Sequence, residues 1–481
     1  MKKNKIRNND LNILGIREPD FLRYFGRTAR ELQHRKGMKK DEIMALFREF
    51  LKGNISLHEY PELSALDEYR YRMQQAGHKN APVAHLLEKP LDFTIYGKDQ
   101  IEEGALRQMH AAMRLPVTVA GSLMPDAHAG YGLPIGGVLA TEDNIVIPYA
   151  VGVDIACRMC LTVFNLPAAH MDQLHHKLMN LLQKHTIFGV GSECRDHKDD
   201  RVFDEPEWNT CRQIRNLKGL AFRQLGTSGA GNHFAEWGIL EVPAGSHMPG
   251  AEPGKYISIL SHSGSRGFGN EIATYYSKIA MQQTRLPDEA KHLAWLNLES
   301  EEGQEYWTAM NLAGRYASAC HREIHQKIIA DSGFDVLTSV ENHHNFAWKE
   351  RIAGNREVIV HRKGATPAGE HDTGIIPGSM TEPGYVVKGK GNPTSLSSAS
   401  HGAGRRMSRN QAMKQFNRSD MEEELTQKGV TLIGGDIDEA PMAYKNIHWV
   451  MNEQSELVEI LARFSPVIVR MADPEKHSYR R

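Results

Sequence analysis

The chain has 481 residues, of which 40% are hydrophobic and 24% charged, enough for one large domain or two to three ordinary ones. With 58 Lys and Arg against 59 Asp and Glu, the net charge is close to zero, which excludes a general polyanion-binding protein of high pI. Five Cys residues are too few and odd in number for a disulfide scaffold. No apolar run approaches the ~18–20 residues of a membrane span. The cysteine count predicts a reducing, cytoplasmic location, and the lack of a span predicts no membrane contact.

Residues 1–88 are predicted to form a charged, helical N-terminal extension. Asp41 is placed to cap a helix there, and Gly53 is placed to end it. The apolar face of this helix consists of Ile43, Leu46, Phe47, Phe50 and Leu51. Because the stretch contains no catalytic pattern, we interpret it as a docking or packing appendage.

The sequence pattern changes in residues 89–481, where short β-rich runs alternate with Gly-rich loops and amphipathic helices. Buried strands or their continuations are predicted at 145–155, 256–262 and 357–361. Leu174 to Leu182 and Glu456 to Phe464 each show an apolar helix face. The polar segment 194–216 is predicted to be an excursion or a lid.

Six Gly-rich clusters in this region carry ligand-type side chains. Glycine lets backbone N–H groups approach a phosphate closely, and the neighbouring His, Cys, Asp and Asn supply metal ligands. One such cluster is weak evidence, but six together are hard to explain as packing. The clusters are MPDAHAGYGLPIGG (124–137), VGVDIACRMC (151–160), GTSGAGNHFAEW (226–237), SHSGSRGFG (261–269), ENHHNFAWK (341–349) and SHGAGRRMSR (400–409).

Two of the predicted metal ligands are Asp154 and Cys157, three residues apart. Carboxylate, thiolate and imidazole form a mixed donor set that could hold Zn, Mn, Fe or Co, and the ligand types alone do not choose among them. Cys157 and Cys160 also form a CxxC, but no second pair at zinc-knuckle spacing accompanies it. We therefore interpret Cys160 as a buried strand thiol.

Three histidines in separate clusters complete the predicted metal set: His233, His262 and His344. With Asp154 and Cys157 they provide five ligands, about enough for two ions with open positions for phosphate.

His401 differs from these histidines, because a Gly-Ala-Gly segment follows it and an Arg lies four residues later. A neutral imidazole nitrogen there could attack phosphorus. Arg266 and Arg405 are suited to bind phosphate, whereas Arg406 and Arg409 are interpreted as a solvated face.

These clusters together resemble the RNA-splicing ligase RtcB family from about residue 90 to about residue 470. The resemblance is specific because the motifs follow the family's order. They are PDAHAGYGLPIGG, AVGVDIAC, GAGNHFAE, HSGSRGFGN, HHN, HRKGA, PGSM, HGAGRRMSR and AYKNI. The resemblance implies an α+β class, with a compact mixed fold and a central active-site cleft.

The resemblance also implies an activity. Members of the family join RNA ends with a 3′-phosphate or a 2′,3′-cyclic phosphate to ends with a 5′-hydroxyl, using GTP and manganese. By match, His401 is the guanylylated nucleophile and Asp126 orients it. One manganese ion takes Asp154, Cys157 and His233, and the second shares Cys157 and adds His262 and His344. Arg266 and Arg405 meet RNA or nucleotide phosphate.

The nucleotide is expected to contact a further set of residues by the same match. Asn232 and Asn345 would meet its phosphates, and Glu236 and Tyr444 would face its base. The remaining members of the expected GTP site are Pro377, Gly378, Ser379, Met380, Gly384, Gly402, Ala403, Gly404, Arg405 and Arg470.

Three positions depart from the family pattern. Arg158 stands where DIxCGM has Gly, Gly384 stands where a Ser is usual, and Arg470 replaces a C-terminal Lys. Gly384 and Arg470 are expected at the base pocket. With Arg470 in place of Lys, the protein would still prefer GTP over other nucleotides, but by a smaller factor. The departures and the extension suggest a divergent paralogue that repairs a particular cleaved RNA.

Two other functions are weighed against the RNA ligase. A binuclear metal phosphodiesterase needs the same metals and Arg residues but not His401. A non-catalytic RNA-end binding protein needs neither the full ligand set nor His401. For each function the expected state is a monomer, and the sequence leaves open a helper protein.

Overall fold

A computed structural model describes residues 6–17, 19–51, 55, 60–66, 83–196 and 199–474. The chain divides into two compact units, Met1–Pro82 and Val83–Arg481. The backbone N–H of Ala84 donates to Arg285 (2.8 Å) and that of Leu87 to Arg114 (2.8 Å). Residues 83–88 therefore belong to the second unit, and the boundary lies before Val83 rather than after residue 88.

The first unit is helical where it is described. The rings of Phe25 and Phe47 meet edge to face in its core, with centroids 4.9 Å apart. The predicted helix is confirmed, but it begins at Lys40, so Asp41 lies in its first turn. Gly53 lies outside the described residues. The helices are Asn8–Asn12, Pro19–Lys36 and Lys40–Leu51.

The second unit mixes helices and strands, which confirms the α+β class. Its helices are Glu103–Ala112, Pro148–Val151, Met171–His185, Arg212–Gln224, Arg266–Gln283, Glu301–Ser332, Arg409–Gln415, Arg418–Lys428 and Ile447–Glu453. Its strands are β1 (Thr94–Ile95), β2 (Thr118–His128), β3 (Ile135–Glu142), β4 (Ile145–Val146), β5 (Arg158–Pro167), β6 (Ile187–Phe188), β7 (Thr227–Gly229), β8 (Phe234–Val242), β9 (Gly254–Ser263), β10 (Leu296–Asn297), β11 (Val336–His343), β12 (Phe346–Ile352), β13 (Arg356–Lys363), β14 (Ala365–Pro367), β15 (Thr373–Ile376), β16 (Gly384–Gly389), β17 (Ser398–Ser400), β18 (Thr431–Ile433) and β19 (Val458–Met471).

Two sheets organise this unit. One has five strands in the order β1-β2-β3-β13-β12. The other has eight strands in the order β11-β5-β9-β8-β19-β16-β15, with β18 pairing with β19. Strand neighbours along β11-β5-β9-β8-β19 are antiparallel, so residues paired across them point to the same face.

The larger sheet has two different faces. On the helix face, Cys160, Ser261, Ala235 and Arg470 form one cross-strand row beneath the helices Met171–His185 and Glu301–Ser332. On the cleft face, a neighbouring row consists of Met159, His262, Phe234 and Met471, and the last three line a cleft of about 740 Å³. The position of a residue along its strand therefore decides whether it meets the cleft or the helices.

The predicted strands at 256–262 and 357–361 are confirmed as parts of β9 and β13, and the helix around Leu174 to Leu182 is confirmed as Met171–His185. The segment 194–216 contains the short 3-10 turns Arg201–Asp204 and Pro206–Asn209 before the next helix begins.

Two predicted elements are wrong. The run 145–155 is mostly not a strand, because Pro148 occupies the first helical turn, where its fixed φ favours a helix. The predicted helix at Glu456 to Phe464 lies largely in β19. Around Leu461 the pairing with β16 shifts register, so neighbouring Leu461 and Ala462 are both buried. With Val458, they imitate the spacing of a helix face.

Among the described residues, no helix combines the length and the apolarity that a bilayer span requires.

Candidate active site

Four neighbouring strands of the larger sheet bring Cys and His residues to one edge. Cys157 immediately precedes β5 and His233 precedes β8, whereas His262 lies near the end of β9 and His344 follows β11. Because these neighbours are antiparallel, the start of one strand lies beside the end of the next. Residues far apart in sequence therefore meet, and we call these four the cleft cluster.

The side chains of the cleft cluster converge on a few atoms. Sγ of Cys157 lies 3.3 Å from Nε2 of His233 and 3.2 Å from Nε2 of His262. Nε2 of His262 lies 3.2 Å from Nε2 of His344. The ligand atoms of Cys157, His262 and His344 all lie within 4.8 Å of one another.

Backbone carbonyls fix the tautomers of two of these imidazoles. Nδ1 of His233 donates to the carbonyl of Ser228 (2.7 Å), and Nδ1 of His262 donates to that of Asn232 (3.1 Å). Because a carbonyl oxygen can only accept, each Nε2 keeps its lone pair and directs it at the Cys157 thiol.

This donor set fits a transition-metal ion. Burial lowers the pKa of His262 to about 4 and lowers that of His344 well below its usual range, so both rings are neutral and able to coordinate. Burial also raises the pKa of the Cys157 thiol, which a cation would reverse. Nδ1 of His344 is a buried polar atom with no hydrogen-bond partner among the described residues. Asp154 lines the same cleft, and its carbonyl accepts from the backbone N–H of Cys157 (3.2 Å).

His401 lies against this cluster. Its ring centroid is 4.8 Å from that of His344, and its Nδ1 donates to Oδ2 of Asp126 at 2.7 Å. The same carboxylate oxygen accepts from the backbone N–H of His401 (3.2 Å). Asp126 is fully buried, so its carboxylate holds the imidazole with Nδ1 protonated and leaves the Nε2 lone pair available.

A buried lysine fixes the segment that carries Asp126. Nζ of Lys445 donates to the carbonyls of Pro125 and Ala127, at 2.9 Å each, and its backbone N–H donates to Gly404 (2.9 Å). Gly404 has a φ of +72°, and a Cβ there would lie 2.1 Å from the carbonyl oxygen of Asp126. Only glycine permits this close approach between the His401 loop and the Asp126 strand.

The structure brings most predicted site residues into the cleft. Glu236 lies on its wall, where burial raises the pKa of the carboxyl to about 8. Asn345 accepts from the backbone N–H of Gly364 (2.7 Å). The other predicted residues that line the cleft are Asp154, Cys157, Asn232, His262, His344, Pro377, Gly378, Ser379, Met380, His401, Gly402, Ala403, Gly404, Arg405 and Tyr444.

Arg405 and Tyr444 are joined through an acidic partner that the sequence did not reveal. Arg405 forms a buried ion pair with Glu439 at 3.0 Å and donates to the backbone of Asp438 (2.6 Å). The hydroxyl of Tyr444 donates to the same Glu439 carboxylate. Arg405 therefore lines the cleft with part of its charge already compensated.

Arg266 and His233 line an adjoining cleft of about 770 Å³, which shares Asp154 and Arg409 with the first. Arg266 donates to Thr227 (3.2 Å). Arg409 is exposed, as the sequence predicted, and its guanidinium also pairs with Asp438 and lines both clefts.

Two residues expected at the base pocket do not line the cleft. Arg470 points to the helix face, since its row partner is Ala235, and its guanidinium lies 5.9 Å from the Phe188 ring. A Cβ on Gly384 would meet the backbone of Pro377 at 3.2 Å, behind the segment that lines the cleft. Neither residue is therefore among those that line the cleft.

Arg158, the third departure, also lies on the helix face. Its guanidinium is buried, pairs with Glu341 and donates to the carbonyl of Gly314 (2.8 Å). The side chain therefore links β5 to β11 and to the helix Glu301–Ser332.

Lys363 of the HRKGA motif also lines the cleft, although the sequence alone assigned it no specific role. Its Nζ donates to the carbonyls of Tyr131 and Tyr149, the latter at 3.1 Å, and burial lowers its pKa to about 7. The HRKGA motif contains this lysine, and its position after a strongly apolar strand was an available signal.

The structure also contains a second Cys–His group, which the sequence did not reveal. Cys160, His321 and His325 place their ligand atoms within 4.8 Å of one another on the helix face, and we call them the helix cluster. The two histidines lie four residues apart on the helix Glu301–Ser332, so they share one helix face.

Hydroxyl groups are already hydrogen-bond partners of most ring nitrogens in the helix cluster. Oγ of Ser261 lies 2.7 Å from Nδ1 of His321 and 2.8 Å from Nε2 of His325. Nε2 of His321 contacts the carbonyl of Ser263 (3.3 Å), and Nδ1 of His325 lies 2.8 Å from Oγ1 of Thr162. A hydroxyl thus occupies the space between the two rings, and the cluster is a hydrogen-bonded network rather than an open ligand set.

Comparison with known proteins identifies the family. The family model described as tRNA-splicing ligase RtcB matches residues 108–218 and 213–472. An RNA-splicing ligase RtcB1 of Escherichia coli is 32% identical over 399 residues, covering 76% of this chain and 94% of that protein. A tRNA-splicing ligase RtcB of Archaeoglobus fulgidus is 31% identical, covering 78% and 91%. One from Thermococcus kodakarensis is 29% identical, covering 78% and 93%. The chain belongs to the RtcB family.

Proposed function

We propose that this protein is an RNA ligase that joins a 3′-phosphate end to a 5′-hydroxyl end through a histidine–GMP intermediate. A 2′,3′-cyclic phosphate end would first be opened by water to the 3′-phosphate. The observation that carries the proposal is the position of His401. Its Nδ1 is held by the buried Asp126 carboxylate, and its ring lies 4.8 Å from that of His344 in the cleft cluster.

This geometry supports the following first step. Nε2 of His401 attacks the α-phosphorus of GTP, a nitrogen–phosphorus bond forms, and the bond to the β-phosphate breaks with release of pyrophosphate. Asp126 stabilises the charge that develops on the imidazole.

Two transfers complete the reaction. An oxygen of the RNA 3′-phosphate attacks the GMP phosphorus, and the bond to His401 breaks. The 5′-hydroxyl oxygen then attacks the activated 3′-phosphorus, loses its proton and expels GMP. A histidine is needed for the first two steps only.

We assign the metal ions to the cleft cluster and Asp154. One Mn²⁺ would take Asp154, Cys157 and His233, and the second would share Cys157 and add His262 and His344. When bound, they supply positive charge beside the reacting phosphates. The tautomers of His233 and His262 support this assignment, because both lone pairs already face the shared thiol.

The test is incubation of the protein with α-labelled GTP and Mn²⁺. We expect an acid-labile, alkali-stable protein adduct that His401→Ala lacks. His371→Ala is the matched control, because this histidine is exposed on a turn outside the cleft. RNA hydrolysis without an adduct would instead identify a metal phosphodiesterase, and RNA binding with neither would identify an RNA-end binding protein.

The His401→Ala variant offers a second readout. It should still seal RNA supplied with a GMP-activated 3′ end, since the last step does not use the imidazole. Failure of this variant to seal, although it binds metal as the native protein does, would contradict the assigned order of steps.

A further inference from the structure

An exposed aromatic rim borders the cleft that contains His401. Tyr131 is 73% exposed, although it is one of the residues that line the cleft. Half-buried Tyr149 and the exposed Val153 continue the same border. We call Tyr131, Tyr149 and Val153 the rim. The proposed metal ligand Asp154 directly follows Val153 in the chain, so the rim adjoins the reactive centre.

The backbone beneath the Tyr131 ring is fixed. Nζ of the buried Lys363 donates to the carbonyls of both Tyr131 and Tyr149. The next residue, Gly132, has a φ of +72°, and a Cβ there would lie 2.9 Å from the carbonyl oxygen of His292. The loop is therefore packed at its base, although its aromatic side chain faces solvent.

The rings of the rim are also braced. His292 meets Tyr149 edge-on at 5.2 Å and Tyr131 edge-on at 6.1 Å, with interplanar angles of 81° and 78°. The edge contact supports one side of the Tyr131 ring and leaves a ring face available. A braced aromatic ring at the mouth of a polar cleft is a suitable stacking surface for a nucleobase.

The rim lies close to the proposed nucleophile. Gly364, which follows Lys363, approaches His401 so closely that a Cβ on it would lie 3.2 Å from Cε1 of the imidazole. Lys363 thus connects the backbone of Tyr131 to the segment beside His401.

We propose that Tyr131 stacks on a base of the RNA strand close to the ends being joined. The proposal rests on the proposed RNA ligase function. An RNA strand must leave the cleft beyond its reacting end, so its neighbouring nucleotides cross the cleft mouth, whereas the mononucleotide GTP has no such extension. Stacking accepts any base, so this contact contributes RNA affinity with little sequence preference.

The test compares Tyr131→Ala with Tyr131→Phe, and uses Tyr275→Ala as control because Tyr275 is an exposed aromatic residue outside both clefts. We expect Tyr131→Ala to raise the KM for RNA by about tenfold, within the range for loss of one stacked base. The kcat and the yield of the GTP adduct should stay within twofold, and Tyr131→Phe should retain native affinity.

A binding measurement separates failure of this proposal from failure of the ligase assignment. RNA oligonucleotides with 2-aminopurine placed successively at each position near the 3′ and 5′ ends are titrated with protein. Native protein and Tyr131→Phe should quench the fluorophore at one position, and Tyr131→Ala should not.

Three outcomes would overturn the proposal: equal RNA affinity of native and Tyr131→Ala protein, an equal defect in Tyr131→Phe, or a rise in the KM for GTP instead of RNA. Absence of the GTP adduct from native protein would refute the ligase function, whichever result the quenching gives.

Discussion

Two Cys–His groups flank the same strands, β5 and β9, but only one of them is organised to hold a metal. In the cleft cluster, Nε2 atoms of His233 and His262 face the Cys157 thiol at 3.3 and 3.2 Å. In the helix cluster, Oγ of Ser261 lies within 2.8 Å of both His321 and His325.

The difference lies in what satisfies the nitrogen lone pairs. On the cleft side, backbone carbonyls accept hydrogen bonds from Nδ1 of His233 and His262, so the Nε2 atoms of both rings face a thiol, which is a weak donor. On the helix face, hydroxyl groups can both donate and accept, so each ring nitrogen has a partner. Residue type therefore does not distinguish a metal site from a buried network, whereas the partners of the ring nitrogens do.

The largest expected contrast is between Cys157→Ala and Cys160→Ala. Loss of a residue that only hydrogen-bonds to a metal ligand typically lowers metal affinity or activity by about 10–100-fold. Removing a ligand that both ions share should therefore lower RNA joining by more than about 100-fold. Metal content should fall from two ions, as measured by elemental analysis. Cys160→Ala should keep both ions and near-native activity, at a stability cost of about 1 kcal/mol. Two ions retained in Cys157→Ala would rule out the bridging thiolate.

A smaller effect is expected from His325→Phe. The substitution removes two buried hydrogen bonds, one to Ser261 and one to Thr162, which should lower the free energy of unfolding by about 1–3 kcal/mol. Urea unfolding measures this loss. Metal content should remain at the native value, because the ring nitrogens of the helix cluster already have hydrogen-bond partners. A loss of metal in this variant would show that the helix cluster is a ligand set after all.

The helix cluster should also make stability depend on acid pH. Burial lowers the pKa of His325 to about 4, from 6.5 in an unfolded chain. Between these values the unfolded chain binds a proton that the folded protein does not, so stability falls as the pH falls from about 6.5 to about 4. In metal-free protein, His325→Gln should lose less stability than the native protein between pH 7 and pH 5. An equal loss of stability in the variant and the native protein would mean that protonation of His325 does not contribute to the pH dependence of stability.

The sequence could predict which residues form the site better than it could predict where their side chains point. The Gly-rich clusters identified the Cys157, His262 and His344 group, and Asp126 beside His401, because these motifs carry rare residue types in fixed order. It could not show that Ser261 satisfies His321 and His325, since a hydroxyl of that kind is unremarkable in a strand.

Strand register explains the side-chain directions and the element type that the sequence could not predict. Successive residues of a strand point to opposite faces, so a position known to within one residue can be assigned to the wrong face. Arg470 lies between Val469 and Met471, which both line the cleft, yet it points to the helix face. The register shift at Leu461 similarly gave β19 the burial spacing of a helix.

The smallest expected effect concerns the choice between GTP and ATP. It is tested by comparing Arg470 on β19 with Glu236 on the neighbouring strand β8. Arg470→Ala should change the ratio of GTP to ATP adducts by less than about twofold, since a side chain facing Phe188 cannot reach a base in the cleft. Glu236→Ala should lower that ratio by about tenfold, because the buried carboxyl lies on the cleft wall and loss of one hydrogen bond costs about 0.5–1.5 kcal/mol. Competition of the two labelled nucleotides for His401 measures both ratios. If Arg470→Ala lost the preference and Glu236→Ala kept it, the base would lie toward the helix face, and the assignment of the two faces would be reversed.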